Sequence, residues 1–171
     1  LLTACLSIEM TLSRSFKSER ALLSMGNMLS SLNVNVKAMV VSSDQRFAFV
    51  TTEYYGTLNI IDLKDLEYPV VVSSLALKVS GYTFKIKALT LSKDEKTLYV
   101  SNSRDLEIID ITDVESPKLI SFTKSEIFQE GDLNEIPSNF KTSLALDENT
   151  KTLFIGGLGL QVYDVSNLKR P

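Results

Sequence analysis

Acidic side chains carry most of the chemistry this sequence could perform. Asp62, Asp110 and Asp164 each close a short apolar run: LNIID (58–62), LEIID (106–110) and LQVYD (160–164). An acid in that position can be a catalytic group, a metal ligand or a turn former. Glu53, Asp105 and Glu130 stand singly as further candidate carboxylates, and glycoside hydrolysis asks for only two such groups around the scissile bond. EGDLNE (130–135) gathers Glu130, Asp132, Asn134 and Glu135, oxygen donors of the kind a calcium ion prefers, without the twelve-residue spacing of an EF-hand. Tyr54, Tyr55 and Arg104 are residue types that anchor protein interfaces. The chain has no histidine, so the commonest general base and the commonest zinc ligand are both missing. GGLG (156–159) has neither the lysine of a phosphate-binding loop nor a helix after it, and no cofactor is expected.

The elements that position these residues repeat. LNIIDLKDLEYPVVVSSL (58–75), LEIIDITDVESPKLISF (106–122) and LQVYDVSNLKRP (160–171) align without a gap, which superposes the three aspartates and also Pro69, Pro117 and Pro171. The prolines lie 48 and 54 residues apart. Upstream, KAMVVSSDQRFAFV (37–50), KALTLSKDEKTLYV (87–100) and TSLALDENTKTLFI (142–155) share one plan: an alternating apolar run, a polar turn, a second apolar run. Period-2 alternation broken by turn residues predicts strands. Each unit then reads strand, turn, strand, loop, strand ending in Asp, proline, strand. Four short strands in every 40–50 residues are one blade of a β-propeller. A β-sandwich is the main alternative, but sandwich strands have no reason to recur in sets of four.

Residues 1–33 hold a degraded copy, with Met10 where the aspartate belongs and Arg20, 49 residues before Pro69, where the proline belongs. Strands are favoured there over a rival amphipathic helix across 12–32. The expected fold is all-β: a propeller fragment of four-stranded antiparallel blades, two complete and one partial at each end. Its parts are 1–33 (third and fourth strands of one blade), 34–83 (a blade), 84–138 (a blade with a long acidic loop, 123–141) and 139–171 (three strands).

A residue repeated in every blade serves the blade. Asp62, Asp110 and Asp164 each stand two residues before a polar one (Lys64, Thr112, Ser166), the arrangement of an Asx-turn, in which the carboxylate accepts backbone N–H groups freed where the strand stops. Each proline then suits the start of the outermost strand, where no ladder N–H is required. SSDQR, SKDEK and DENTK are hairpin turns with solvated charges. Val40, Leu89, Leu91, Leu144 and Leu146, with Phe49, Tyr99 and Phe154, are expected to pack between blades. Function is sought where the copies differ: in the blade-to-blade loops, among them the 123–141 insertion, and in the loops between second and third strands, TEYYGT (52–57), NSRD (102–105) and GGLG. These place Glu53, Tyr54, Tyr55, Arg104 and Asp105 near one rim as the candidate binding residues.

The repeated strand, with its Leu-Ile-Ile-Asp core, short polar turn and proline, resembles the LVIVD repeat of β-propeller proteins. KTLYV and KTLFI are similar to the related YVTN-type repeats. The resemblance covers 34–171 well and 1–33 poorly. It implies a propeller fold, a place at the cell surface or outside the cell, and no particular activity.

Composition narrows the partners. A hydrophobic share of 44% with 23% charged residues is that of a globular chain. A net charge of −3 offers no basic stripe for nucleic acid. No apolar run reaches the roughly 18 residues of a membrane span. The single cysteine, Cys5, precludes an internal disulfide framework, and no Asn-x-Ser/Thr sequon occurs. Leu2-Thr3-Ala4-Cys5 resembles a lipobox, yet the charged and apolar segments that belong before one are absent and LSIEMTL alternates like a strand. The reading is a non-catalytic propeller segment, a protein-interaction or structural scaffold in a larger protein or assembly. Its expected partners are another protein and the remaining blades of the same propeller. The alternative is a lactonase- or glycosidase-like propeller hydrolase with its site in the central channel, and a third possibility is a metal-stabilised adhesion module.

Overall fold

A computed structural model of the chain describes residues 28–52, 56–78, 88–102, 105–124, 141–157 and 159–171. The chain divides into two units, Leu1–Ser31 and Leu32–Pro171, and all that follows concerns the second. The reading of 1–27 as degraded strands lies outside the described residues.

Among the described residues eleven strands form three antiparallel sheets. The first is β1 (Val36–Val41), β2 (Phe47–Thr52), β3 (Thr57–Asp62) and β4 (Val70–Ala76), in that order. The second is β5 (Ala88–Leu91), β6 (Thr97–Ser101), β7 (Asp105–Asp110) and β8 (Lys118–Lys124). The third is β9 (Ser143–Asp147), β10 (Thr152–Gly156) and β11 (Leu160–Asp164), with β10 in the middle. No described residue is helical. β5 lies beside both β1 and β9, so the first strands of successive sheets line one side. Consecutive up-and-down sheets ranged about a common inner edge are propeller blades.

The packing follows from strand alternation, which sends successive side chains to opposite faces. From the first blade, Phe49, Leu58 and Ile60 meet Leu98, Val100, Ile109 and Ile111 of the second. Tyr99, Leu106 and Ile108 of the second meet Leu153, Ile155 and Val165 of the third. Val40, Leu89 and Leu91 border the first of these cores, and Leu144 and Leu146 the second. On the other face of the first blade, Ala48, Val50 and Ile61 form a further cluster.

Phe154 departs from the expectation. Its counterparts Phe49 and Tyr99 are 2% and 4% exposed, whereas Phe154 is 36% exposed. Leu160 and Val162 beside it are 68% and 57% exposed, although the matching residues Leu58, Ile60, Leu106 and Ile108 are all fully buried. The third blade therefore presents an open apolar face.

Two polar devices recur at both junctions between the described blades. A register shift between Ile60 and Ile61, repeated between Ile108 and Ile109, puts a bulge in β4 and in β8. Bulges re-aim side chains. Just past each, Ser73 Oγ donates to the Val114 carbonyl (2.5 Å) and Ser121 Oγ to the Leu168 carbonyl (2.7 Å), both in the next blade. In the hairpin turns, the Ser43 N–H donates to the Glu95 carboxylate (2.5 Å) and the Lys93 N–H to the Glu148 carboxylate (2.5 Å).

The first two strands of each blade trade side-chain bulk. Thr51 pairs with Ala38 and Ser101 with Ala88, but Gly156 pairs with Ser143. A Cβ on Gly156 would meet Ser143 Oγ at 2.7 Å.

Candidate functional site

The strand-end aspartates stand at turns. Asp62 Oδ1 accepts the Lys64 N–H (2.7 Å), Asp110 Oδ1 the Thr112 N–H (2.9 Å) and Asp164 Oδ1 the Ser166 N–H (2.8 Å). The Thr112 N–H and hydroxyl hold the Asp110 carboxyl below the usual carboxylate range, and Ser166 does the same for Asp164. A second turn follows at once. Asp65, Asp113 and Asn167 accept the N–H groups of Glu67 (2.9 Å), Glu115 (3.1 Å) and Lys169 (3.1 Å). Their carbonyls accept from Tyr68, Ser116 and Arg170, which carries the chain to Pro69, Pro117 and Pro171. The sequence reasoning missed this second acceptor, though its signal was present as an Asp-x-x-Asp/Asn spacing in all three copies.

Within the hairpin turns the aspartates are engaged locally. Asp44 accepts from Ser42 Oγ (2.6 Å) and the Arg46 N–H (2.9 Å), and Asp94 from Ser92 Oγ (2.7 Å) and the Lys96 N–H (3.2 Å). These donors, the serine hydroxyl foremost, lower both carboxyls below their ordinary value.

Of the rim candidates, Glu53, Tyr54, Tyr55 and Arg104 lie outside the described residues. So do the calcium candidates Glu130, Asp132, Asn134 and Glu135. Among the described residues no three metal-ligating His, Cys, Asp or Glu side chains gather. Asp105 opens β7 and is 3% exposed. Its N–H donates to Asn102 Oδ1 (2.7 Å) and its carboxylate accepts from Asn102 Nδ2 (3.3 Å), which closes the β6–β7 loop.

Two residues along, on the same face of β7, Glu107 is 4% exposed. Its Oε2 accepts the N–H of Lys78, just beyond β4 of the preceding blade (3.0 Å). Burial pushes the Glu107 carboxyl above its ordinary value; the Lys78 N–H opposes that rise, and the Asp105 charge adds to it. The matching positions are Thr57 and Asn59 in the first blade and Gly159 and Gln161 in the third, so the acid pair occurs once in the three described blades. Sequence reasoning had singled out Asp105 and passed over Glu107.

At the hairpin end, between the second and third blades, lies a cleft of about 690 Å³. Lys93, Asp94, Tyr99, Glu148, Lys151 and Ser166 are among its walls. Lys151 Nζ donates to Glu148 Oε2 (2.8 Å), which, with the Lys93 N–H, lowers the Glu148 carboxyl. Burial first, then the carboxylates of Glu148 and Asp94, raise the Tyr99 phenol. Charges of both signs line the cleft, and its central acid is already engaged.

The fold defined by these sheets is that of a β-propeller. Among solved structures, the chain is similar to a 6-phosphogluconolactonase candidate from Bacteroides uniformis, at 18% identity over 88% of this chain and 41% of that one, with a TM-score of 0.58. A second lactonase candidate, from Bacteroides fragilis, matches at 19% identity over 74% of this chain and 33% of that one, TM-score 0.54. The WD40 repeats of RRP9 match at 14% identity over 82% and 38%, TM-score 0.56. At such identities the likeness is one of fold, and enzymes and WD40 proteins share it. The chain spans a third to two fifths of the length of these three structures. No protein-family profile and no curated protein matches the sequence.

Proposed function

We propose that the chain is a non-catalytic segment of a β-propeller, of the LVIVD-repeat type its strands resemble, that binds another protein through the loops between second and third strands. One observation carries this reading: most of the described acids are engaged in construction. Asp44, Asp62, Asp94, Asp110, Asp147 and Asp164 accept backbone N–H groups within their turns, while Glu95, Glu148 and Glu107 accept N–H groups across blades. The rim set of Glu53, Tyr54, Tyr55 and Arg104 differs from copy to copy and includes the tyrosine and arginine types that dominate interface energetics. A rigid scaffold with variable loops suffices for that work.

A hydrolase is the second reading, favoured by the single-copy acid pair. Side chains two apart on one strand face lie roughly 7 Å from each other, within the span that glycoside-cleaving carboxylates use. Burial of both acids opposes it. The test offers δ-gluconolactone and p-nitrophenyl glycosides to the chain. No hydrolysis above the buffer rate is expected, and hydrolysis abolished by Glu107→Gln would overturn the scaffold reading.

A further inference from the structure

The open face of the third blade has a counterpart on each of the other two, and there the covering element is visible. Phe49, Leu58 and Ile60 are sealed by the second blade, and Tyr99, Leu106 and Ile108 by the third. Phe154, Leu160 and Val162 hold the same repeat positions, on strands in the same antiparallel pairing, and are exposed. We infer that the surface formed by Phe154, Leu160 and Val162 is the seat of a further blade of this same repeat. The two existing interfaces specify what that blade brings. Its second strand presents two aliphatic side chains, as Leu98 and Val100 or Leu153 and Ile155 do. Its first hairpin presents a carboxylate to the N–H of Glu148, which holds the place of Ser43 and Lys93. An aliphatic face meeting the three apolar residues completes an interface of the kind already formed twice.

The inference rests on the segment reading of the chain but not on the rim loops as a binding surface, so the two fail independently. The chain supplies its own probe. A second copy of residues 118–171 placed directly after Pro171 keeps the proline-to-proline period of 54 residues and carries both the aliphatic strand and Glu148. Val162→Cys is introduced into the first copy, in a Cys5→Ser background, in both the 171-residue and the extended chain, and its reaction with Ellman's reagent is timed. The thiol at position 162 is expected to react rapidly in the short chain and at least about tenfold more slowly in the extended one, which stays monomeric by light scattering. Phe154→Lys in the first copy should restore the fast rate. Equal rates in the two chains, or an added segment that remains unfolded by circular dichroism, would overturn the inference. So would a short chain that dimerises with position 162 already protected, because a second copy would then be the occupant.

Discussion

Leu106 and Leu160 are the same residue at the same point of the repeat, one fully buried and the other 68% exposed. Truncating each to alanine therefore separates the contribution of the inter-blade contact from that of the strand itself. Leu106→Ala empties a site closed on all sides, between Tyr99, Ile108, Leu153 and Ile155. Such a change costs about 2–5 kcal/mol, the transfer term plus the cavity left behind. Leu160 has about a third of its surface to lose and leaves no enclosed hole, so Leu160→Ala should cost about 0.5–1 kcal/mol. With a urea m-value of roughly 2 kcal/mol/M, the unfolding midpoint falls by about 1–2.5 M for the first variant and by about 0.3–0.5 M for the second. Leu58→Ala, at the third copy of the position, belongs with Leu106→Ala. Equilibrium urea unfolding followed by far-ultraviolet circular dichroism is the assay. Equal shifts for Leu106→Ala and Leu160→Ala would refute the reasoning, since burial against the next blade would not then be what stabilises the position.

Four more expectations follow from the polar contacts. Between the unfolded value of a glutamate and the raised value of Glu107, the folded state holds more protons than the unfolded, so this group makes stability fall as pH rises through that window and level off above it. Glu107→Gln should remove that fall, seen as a flatter curve of melting temperature against pH. Asp110 has the opposite sign: its lowered carboxyl stabilises above the ordinary aspartate range and ceases to as pH falls, so Asp110→Ala should lower the urea midpoint at pH 7 while Asp110→Asn, still an Asx-turn former, keeps most of it. Ser121→Ala removes the hydroxyl that meets the Leu168 carbonyl and should cost about 1 kcal/mol by the same unfolding assay. Gln45 and Glu95 both adopt positive φ, 60° and 55°, and glycine relieves that strain; Gln45→Gly should leave the melting temperature unchanged or raised, but Glu95→Gly should lower it, because the Ser43 N–H loses its acceptor.

The blade architecture was legible because it is written three times. A single LEIID run is an ambiguous apolar stretch, but three copies in step with a turn and a proline fix strand order and the buried face. The parts that escaped the sequence depend on neighbours far along the chain. Glu95 and Glu148 sit in turns whose charges looked solvated, and their partners lie 52 and 55 residues away. Phe154 occupies a packing position by every local criterion, yet it is 36% exposed, because spacing along one strand does not encode what lies against it. Asp105 looked like a variable loop residue, and the Asn102 amide draws it into the start of a strand instead. Glu107 sits in the middle of a repeated apolar strand, where Asn59 and Gln161 fill the same place, and only the Lys78 N–H facing it marks it as special. Local pattern, in short, specifies which groups can bond but not which distant groups will meet them.

The pairing of Gly156 with Ser143 bears on how such blades can diverge. In the first two blades the hydroxyl stands on the second strand and alanine on the first; in the third the arrangement is inverted. Passing from one state to the other takes two substitutions. Gly156→Ser alone drives a Cβ against Ser143 Oγ, and Ser143→Ala alone removes that hydroxyl and puts nothing in its place. The double change restores the pair found at Ser101 and Ala88. These two positions are thus coupled: a side chain at 156 is accommodated when the Ser143 hydroxyl turns away about its one rotatable bond, so the effect of either substitution depends on the other.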